Sequence, residues 1–459
     1  MNTGPQLVTA VDSEAFNRYL YWWLLLAIVF EYARPGSFVP VINALKLNSL
    51  IPLSLVVLCV FARGLRPVGE IIRDPFTKWL LIYFGLITLS MVHAEVTLTA
   101  FDRCKQALGY MFLFFAIVRI VTSYKRLCGV FIALIAAHLF LLLMNPNVVL
   151  HPEQRNYIIG GTFLGDGNDF ALSLCILLPM VIALALNVQS KWRRLMWWST
   201  LSLLLFAVIA TSSRGATLAL IAVFGYLWLV SPRKGLTLLA VALGVVAILV
   251  YAPASYFERI STITTYEEDG SAMGRIEAWK GGLKMVRDHP LLGVGAGHFP
   301  MAFGWFYNTN SEKRSWVTAH SMYFLVLGEL GLPGIVALLM LVFGSMRAST
   351  RVRRHLLARA MPEERRRMES ARLLYLLNAS MLGLAVAGAF LSVAYYPHLF
   401  VLTGLMVSCR CIAQGVFAAD ACIMPNPNKP ALRSPVRSGF PESADIQPEK
   451  RPGYPRPFS

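Results

Sequence analysis

Long apolar runs separated by short polar turns make up most of the chain. A spanning helix needs about 20 mostly apolar residues. The runs therefore predict transmembrane helices near 20–34, 47–62, 76–92, 107–122, 127–144, 169–187, 195–211, 214–230, 235–252, 319–346, 371–391 and 397–417. No period-two alternation passes through them, which argues against a transmembrane barrel. The first run, Tyr19 to Phe30, leads into Glu31 and Arg34-Pro35-Gly36 with no small-residue cleavage signal, so it reads as a retained span. The pattern predicts an all-α polytopic membrane protein of about twelve helices, since a helix satisfies its own backbone in lipid.

One long polar interruption breaks this rhythm, from Ala252 to the apolar run opened by Ala319-His320-Ser321. The loop over 253–318 is long enough to form a small cap and to escape the positive-inside rule. Within it Ile276, Trp279, Leu283 and Val286 recur at helical spacing, with Glu277, Lys280, Lys284 and Arg287 on other faces. That spacing predicts an amphipathic helix lying at the interface or packed on the bundle. Ser271 is placed to cap it, with Arg275 in or near its first turn. The expected division is a cytoplasmic N-terminal segment over 1–18, helices one to nine over 19–252 and the loop over 253–318. Helices ten to twelve follow over 319–417 with a basic cytoplasmic loop at 347–371, then a Pro-rich, disordered cytoplasmic tail over 418–459.

Composition agrees: 56% hydrophobic and 15% charged residues, with a mean hydropathy of +0.57, lie outside the range of soluble domains. A net charge of +17 raises nucleic acid as a partner, but its distribution excludes that reading. Alternate loops carry Arg63, Arg66 and Arg73, then Lys191, Arg193 and Arg194, then a dense basic run at 347–372, whereas the loops opposite hold few cations. This is a topology signal that makes the basic side, and both termini, cytoplasmic. The basic run is also suited to anionic membrane lipid. Seven cysteines, mostly inside apolar runs, read as small core residues and not as a disulfide or zinc framework.

Three groups fall on the outer side: Arg214 in a short turn between spans, Arg275 on the loop helix and His320 at the start of span ten. The plain alternatives are a snorkelling anchor, a solvated helix charge and a satisfied interfacial histidine. Gly293-Val294-Gly295-Ala296-Gly297 mimics a nucleotide loop but follows no predicted strand, so it reads as a tight turn allowing close backbone approach. Asp166 and Asp169 read as helix caps, Glu329 as structural, and His289 and His298 as alternates to His320. His138 and Arg410 lie in apolar runs, where an ionisable group can mark a transport path, and no acidic partner is visible beside them.

Ser212-Ser213-Arg214-Gly215, Arg275 with Trp279, His289-Pro290-Leu291-Leu292-Gly293-Val294-Gly295, and His320 with Glu329-Leu330-Gly331-Leu332-Pro333-Gly334 occur in that order. The series resembles the O-antigen ligase and polymerase superfamily over roughly 160–345, and the segment Gly161-Thr162-Phe163 through Asn168 is similar to one these proteins carry before a span. The family usually shows Asn after the histidine, where this chain has Ser321.

The resemblance implies a glycosyltransferase of the bacterial inner membrane with a periplasmic site, using neither metal nor other cofactor. Its partners would be an undecaprenyl-diphosphate-linked glycan donor, a glycan or lipid-linked acceptor and membrane lipid. His320, Arg214 and Arg275 would be catalytic, with Arg214, Arg275, Asn168 and Ser213 contacting substrate. Guanidinium groups suit a diphosphate leaving group, and an imidazole suits removal of a hydroxyl proton. A polymerase of the same superfamily is the alternative within this class. Outside it stand a multispan transporter or flippase and a non-catalytic scaffold.

Overall fold

The computed structural model describes residues 4–152, 157–160, 163–231, 233–235, 237–239, 242, 244, 246, 256–257, 270–308, 315–358 and 365–423. The described residues are helical, with no strand among them. The chain runs through α1 (Gly4–Ala33), α2 (Leu47–Phe61), α3 (Pro75–Leu89), α4 (Thr97–Ile120), α5 (Tyr124–Met144), α6 (Gly167–Asn187), α7 (Lys191–Ala210) and α8 (Arg214–Val230). After the polar loop's own α9 (Gly270–Asp288) come α10 (Met322–Leu339), α11 (Ser345–Ala358), α12 (Arg365–Gly388) and α13 (Pro397–Ile423). One unit takes in residues 1–417, and a second 418–459, of which only 418–423 are described, as helix.

Each predicted span except the ninth falls on a helix; the ninth, 235–252, lies largely outside the described residues, as does the tail beyond 423. By length and hydropathy, seven helices among the described residues can cross a membrane, with α2 and α8 as shorter apolar helices. The protein is a multi-pass membrane protein. The expected count of about twelve is not confirmed by this measure, which covers only the described residues and passes over α4 with its Asp102, Arg103, Lys105 and Arg119. Within the expected N-terminal segment 1–18, α1 begins at Gly4 and runs without a break to Ala33. No proline interrupts it after Pro5, so nothing local ends the helix before the apolar run begins.

Helix starts share one device. Asp74, Ser123, Asp166 and Ser213 each precede a helix and accept a hydrogen bond from its orphan backbone N–H groups. The centre of the bundle is α6, buried along most of its length and packed on α7, α12, α8 and α5. Inside it, His138 Nδ1 donates to the Leu134 carbonyl at 2.8 Å, leaving Nε2 to accept from Ser173 at 2.6 Å. The Ser173 oxygen in turn accepts from His398 Nε2 at 2.7 Å.

Arg410, which shows no acidic neighbour in the sequence, acquires one in space. Its guanidinium lies 3.4 Å from the Asp74 carboxylate, donates to Ser345 and Ser349, and sits 4.7 Å from the centre of the Phe76 ring. The partner was invisible because it lies 336 positions away.

The helix α10 is broken at Gly331, whose φ of 67° and ψ of −163° lie outside the helical region. The break is filled by the glycine-rich loop of 289–297. The N–H groups of Val294 and Gly295 donate to the carbonyls of Gly328 and Glu329, and Leu332 donates to the Pro290 carbonyl. The Glu329 carboxylate accepts from Gly297 N at 2.8 Å and Phe299 N at 2.9 Å. A Cβ on Gly293 would collide with the backbone of Gly328 and Glu329, so the close approach requires glycine. The sequence motifs around 293 and 331 are thus two halves of one clasp. The connection between α3 and α4 fastens it further: Ser90 accepts from Ala296 N, and His93 donates to the Gly293 carbonyl at 2.9 Å.

Candidate functional site

Helix α9 delivers Arg275. The helix includes Gly270, so Ser271 lies inside it and not at its cap, and Arg275 stands in the second turn. Its packing face also differs from the predicted one. Ala278 and Met285 are buried, whereas Leu283 is 51% exposed. Side chains added at Gly281 and Gly282 would press on Phe303, Phe299 and the Phe324 carbonyl. Small residues win because α9 lies close against α10, an approach that a larger apolar stripe would prevent. Trp279 is the anchor: its indole N–H donates to the Ala319 carbonyl at 3.0 Å, and its ring stacks on Phe324 at 5.1 Å and 10°. Arg275, one turn from Trp279 on the same side of the helix, is thereby brought to the residue after Ala319.

That residue is His320. Its backbone is left-handed, with φ 46°, a conformation that costs a non-glycine residue on the order of 1 kcal/mol. Burial holds the imidazole below the ordinary histidine value, and the positive charge of Arg275 pushes it further the same way. The carboxylate of Asp166 opposes both. These opposed influences place His320, Arg275 and Asp166 in one electrostatic neighbourhood. Asp166 accepts hydrogen bonds from both the backbone and the side-chain nitrogen of Asn168, at 2.7 and 2.8 Å, so Asn168 stands beside the same carboxylate.

Ser213 caps α8 by accepting from Ala216 N at 3.4 Å, which turns its side chain back onto its own helix. Arg214 opens α8 two residues after Ser212, whose φ of 51° is also left-handed. What joins this turn to the histidine is the connector between α12 and α13. Phe390 covers Gly215, Ser392 accepts from Thr318 at 2.8 Å, and Tyr396 donates to Asp169 at 3.0 Å. Sequence reading gave this connector no role, since it carries no charge and no motif; its part is to seat the starts of α6, α8 and α10 side by side. The alternates separate cleanly. His298 is buried, with Nε2 accepting from Val96 N at 3.1 Å and Nδ1 directed at the Ala296 carbonyl, so both ring nitrogens are engaged in holding the clasp. His289 is exposed at the end of α9.

A cavity of about 460 Å³ opens at the same end of the bundle. Thr318, Ser392 and Tyr396 line it, but His320, Arg214 and Arg275 do not. Thr318 brings it within two residues of the histidine along the chain, and Arg34 and Arg103 stand on its wall.

Taken together, a histidine biased toward its neutral form beside an arginine is arranged to accept a proton while an anion is held nearby. No curated protein matches the chain. Residues 199–339 match the family described as O-antigen ligase, a stretch that runs from α7 to the end of α10 and includes Ser213, Arg214, Arg275 and His320. That match supports a likeness to the O-antigen ligase and polymerase superfamily over this part of the chain.

Proposed function

We propose that this protein transfers a glycan from undecaprenyl diphosphate to an acceptor hydroxyl, as an O-antigen ligase does, at the periplasmic face of the inner membrane. Both termini then lie in the cytoplasm. The acceptor is a lipid A core sugar or a similar glycan. His320 removes the proton from the acceptor hydroxyl as that oxygen forms its bond to the anomeric carbon. The bond from that carbon to the diphosphate breaks, and the leaving diphosphate keeps the electron pair. Arg214 and Arg275 bind the diphosphate and offset the charge it gains, with Ser213 and Asn168 contacting substrate beside them. Once His320 carries the proton, Asp166 stabilises the imidazolium, the part left open by Ser321 where relatives have Asn.

The observation that supports this reading is the electrostatic influence of Arg275 on His320, with Trp279 of the same helix bound to the residue before the histidine. The buried charge that favoured a transporter is accounted for otherwise, since Arg410 is neutralised by Asp74. The test is transfer measured with purified protein and a lipid-linked donor. His320→Ala, Arg214→Ala and Arg275→Ala should each lower the rate by about 10²–10³-fold at unchanged membrane expression. Full activity in all three rules the mechanism out. Surface-glycan gels of a deletion strain separate the two members of the class, unattached polymer marking a ligase and single repeats a polymerase.

A further inference from the structure

The cavity beside the histidine has no task in the reaction as written. One wall is a continuous hydrogen-bonded row between α1 and α4. Arg103 donates to the Gln106 carbonyl oxygen at 3.1 Å, and the Gln106 amide donates to the Tyr110 hydroxyl at 3.1 Å. The Tyr110 hydroxyl lies near the Glu31 carboxylate, which accepts from Arg34 at 3.3 Å. Arg34 is held with a left-handed φ of 45°, so its position at the end of the row is imposed by the surroundings. The rings of Phe163, Tyr395 and Tyr396 also line the cavity.

Charge bookkeeping decides what such a wall receives. The guanidinium of Arg34 is offset by Glu31, and the charge of Arg103 reaches the carboxylate of Glu329. A diphosphate needs a surplus of positive charge, which this wall lacks. Alternating donors and acceptors in a cavity that also carries aromatic rings suit a ring that bears several hydroxyls and has an apolar face. The volume also lies within the range of about 300–1,000 Å³ usual for small-molecule sites.

We infer that the Arg103–Gln106–Tyr110 row and the tyrosines lining the same cavity form a subsite for a sugar ring of the acceptor glycan, holding it while its hydroxyl reaches His320. This rests on the transfer reaction proposed above. Thr318, two residues before His320, lines the cavity and ties the two together.

The test is binding to the full-length protein in detergent, followed by the thermal unfolding midpoint and by titration. The probes are glucose, galactose, mannose, N-acetylglucosamine, glucuronate and inorganic pyrophosphate. At least one sugar should raise the midpoint of both the wild type and His320→Ala, because the subsite does not need the base. Arg103→Gln should weaken that binding about tenfold, the loss expected for a hydrogen bond to a charged group. Arg103 is an exposed side chain whose hydrogen bond to Gln106 stays on its own helix, so the variant should fold; Gln106→Leu, which breaks the row at its middle, provides a second reading. Pyrophosphate binding, governed by Arg214 and Arg275, should survive both substitutions. No midpoint shift with any sugar, a shift retained in both variants, or loss of pyrophosphate binding in Arg103→Gln overturns the inference. Sugar binding in a protein that transfers nothing would instead count against the proposed reaction and leave the subsite standing.

Discussion

The two ends of α10 treat a cation in opposite ways. At the far end, Arg410 of α13 is enclosed by a carboxylate, two hydroxyls and an aromatic face, each complementary to it. At the near end, Arg275 is brought beside a histidine, a group whose protonated form it repels. One arrangement minimises the energy of a buried charge; the other spends packing to hold two groups that would be more stable apart. Complementarity marks a structural cation, and deliberate conflict marks a working one.

The largest expected contrast follows from removing each cation. Arg410→Ala takes the ion-pair partner from the partly buried Asp74 and empties a buried, hydrogen-bonded site, and should destabilise the protein by about 3 kcal/mol, read as a lowered unfolding midpoint. Arg275→Ala should leave that midpoint nearly unchanged while transfer falls by the factor given above. If both substitutions act mainly on stability, the distinction between the two ends disappears.

A second effect concerns pH. The base acts when neutral, so activity is lost as pH falls through its pKa, and burial with Arg275 holds that pKa below the ordinary value of about 6.5. The wild type should stay active down through pH 6.5. Arg275→Gln removes a lowering influence and should move the acid limb of the rate profile to higher pH. Asp166→Asn removes a raising one and should move it lower. A limb that stays in place in both variants would mean that another group titrates.

Smaller effects test how the conflict is held. Trp279→Phe keeps the stacked ring but loses the hydrogen bond to Ala319, a change of about 1 kcal/mol, and should lower transfer several-fold with little change in substrate binding. Smallest of all, Ser212→Gly relieves a left-handed serine and should raise stability by about 0.5–1 kcal/mol, measurable by thermal unfolding.

How much of this was legible beforehand follows the range of the interactions. Spans were readable because each is a local run of apolar residues, and the catalytic candidates stood out as polar groups at the edges of those runs. The packing face of α9 was not: periodicity favoured Leu283, but the demand for close approach to α10 is a property of two helices and selects Ala278, Gly281 and Gly282. Asp166 was read only as a cap because its second role depends on a histidine more than 150 positions away. The connector from Phe390 to Tyr396 offered no local sign, since its contacts with Gly215, Thr318 and Asp169 all lie far along the chain.

The clasp at Gly331 carries a last consequence. A broken helix at membrane depth exposes backbone groups that lipid cannot satisfy, each at a cost of several kcal/mol, and here the 289–297 loop satisfies them. That loop is therefore a plug and not a door. It cannot swing aside during turnover without stranding the groups it covers, so a long lipid-borne substrate must arrive past some other boundary of the bundle.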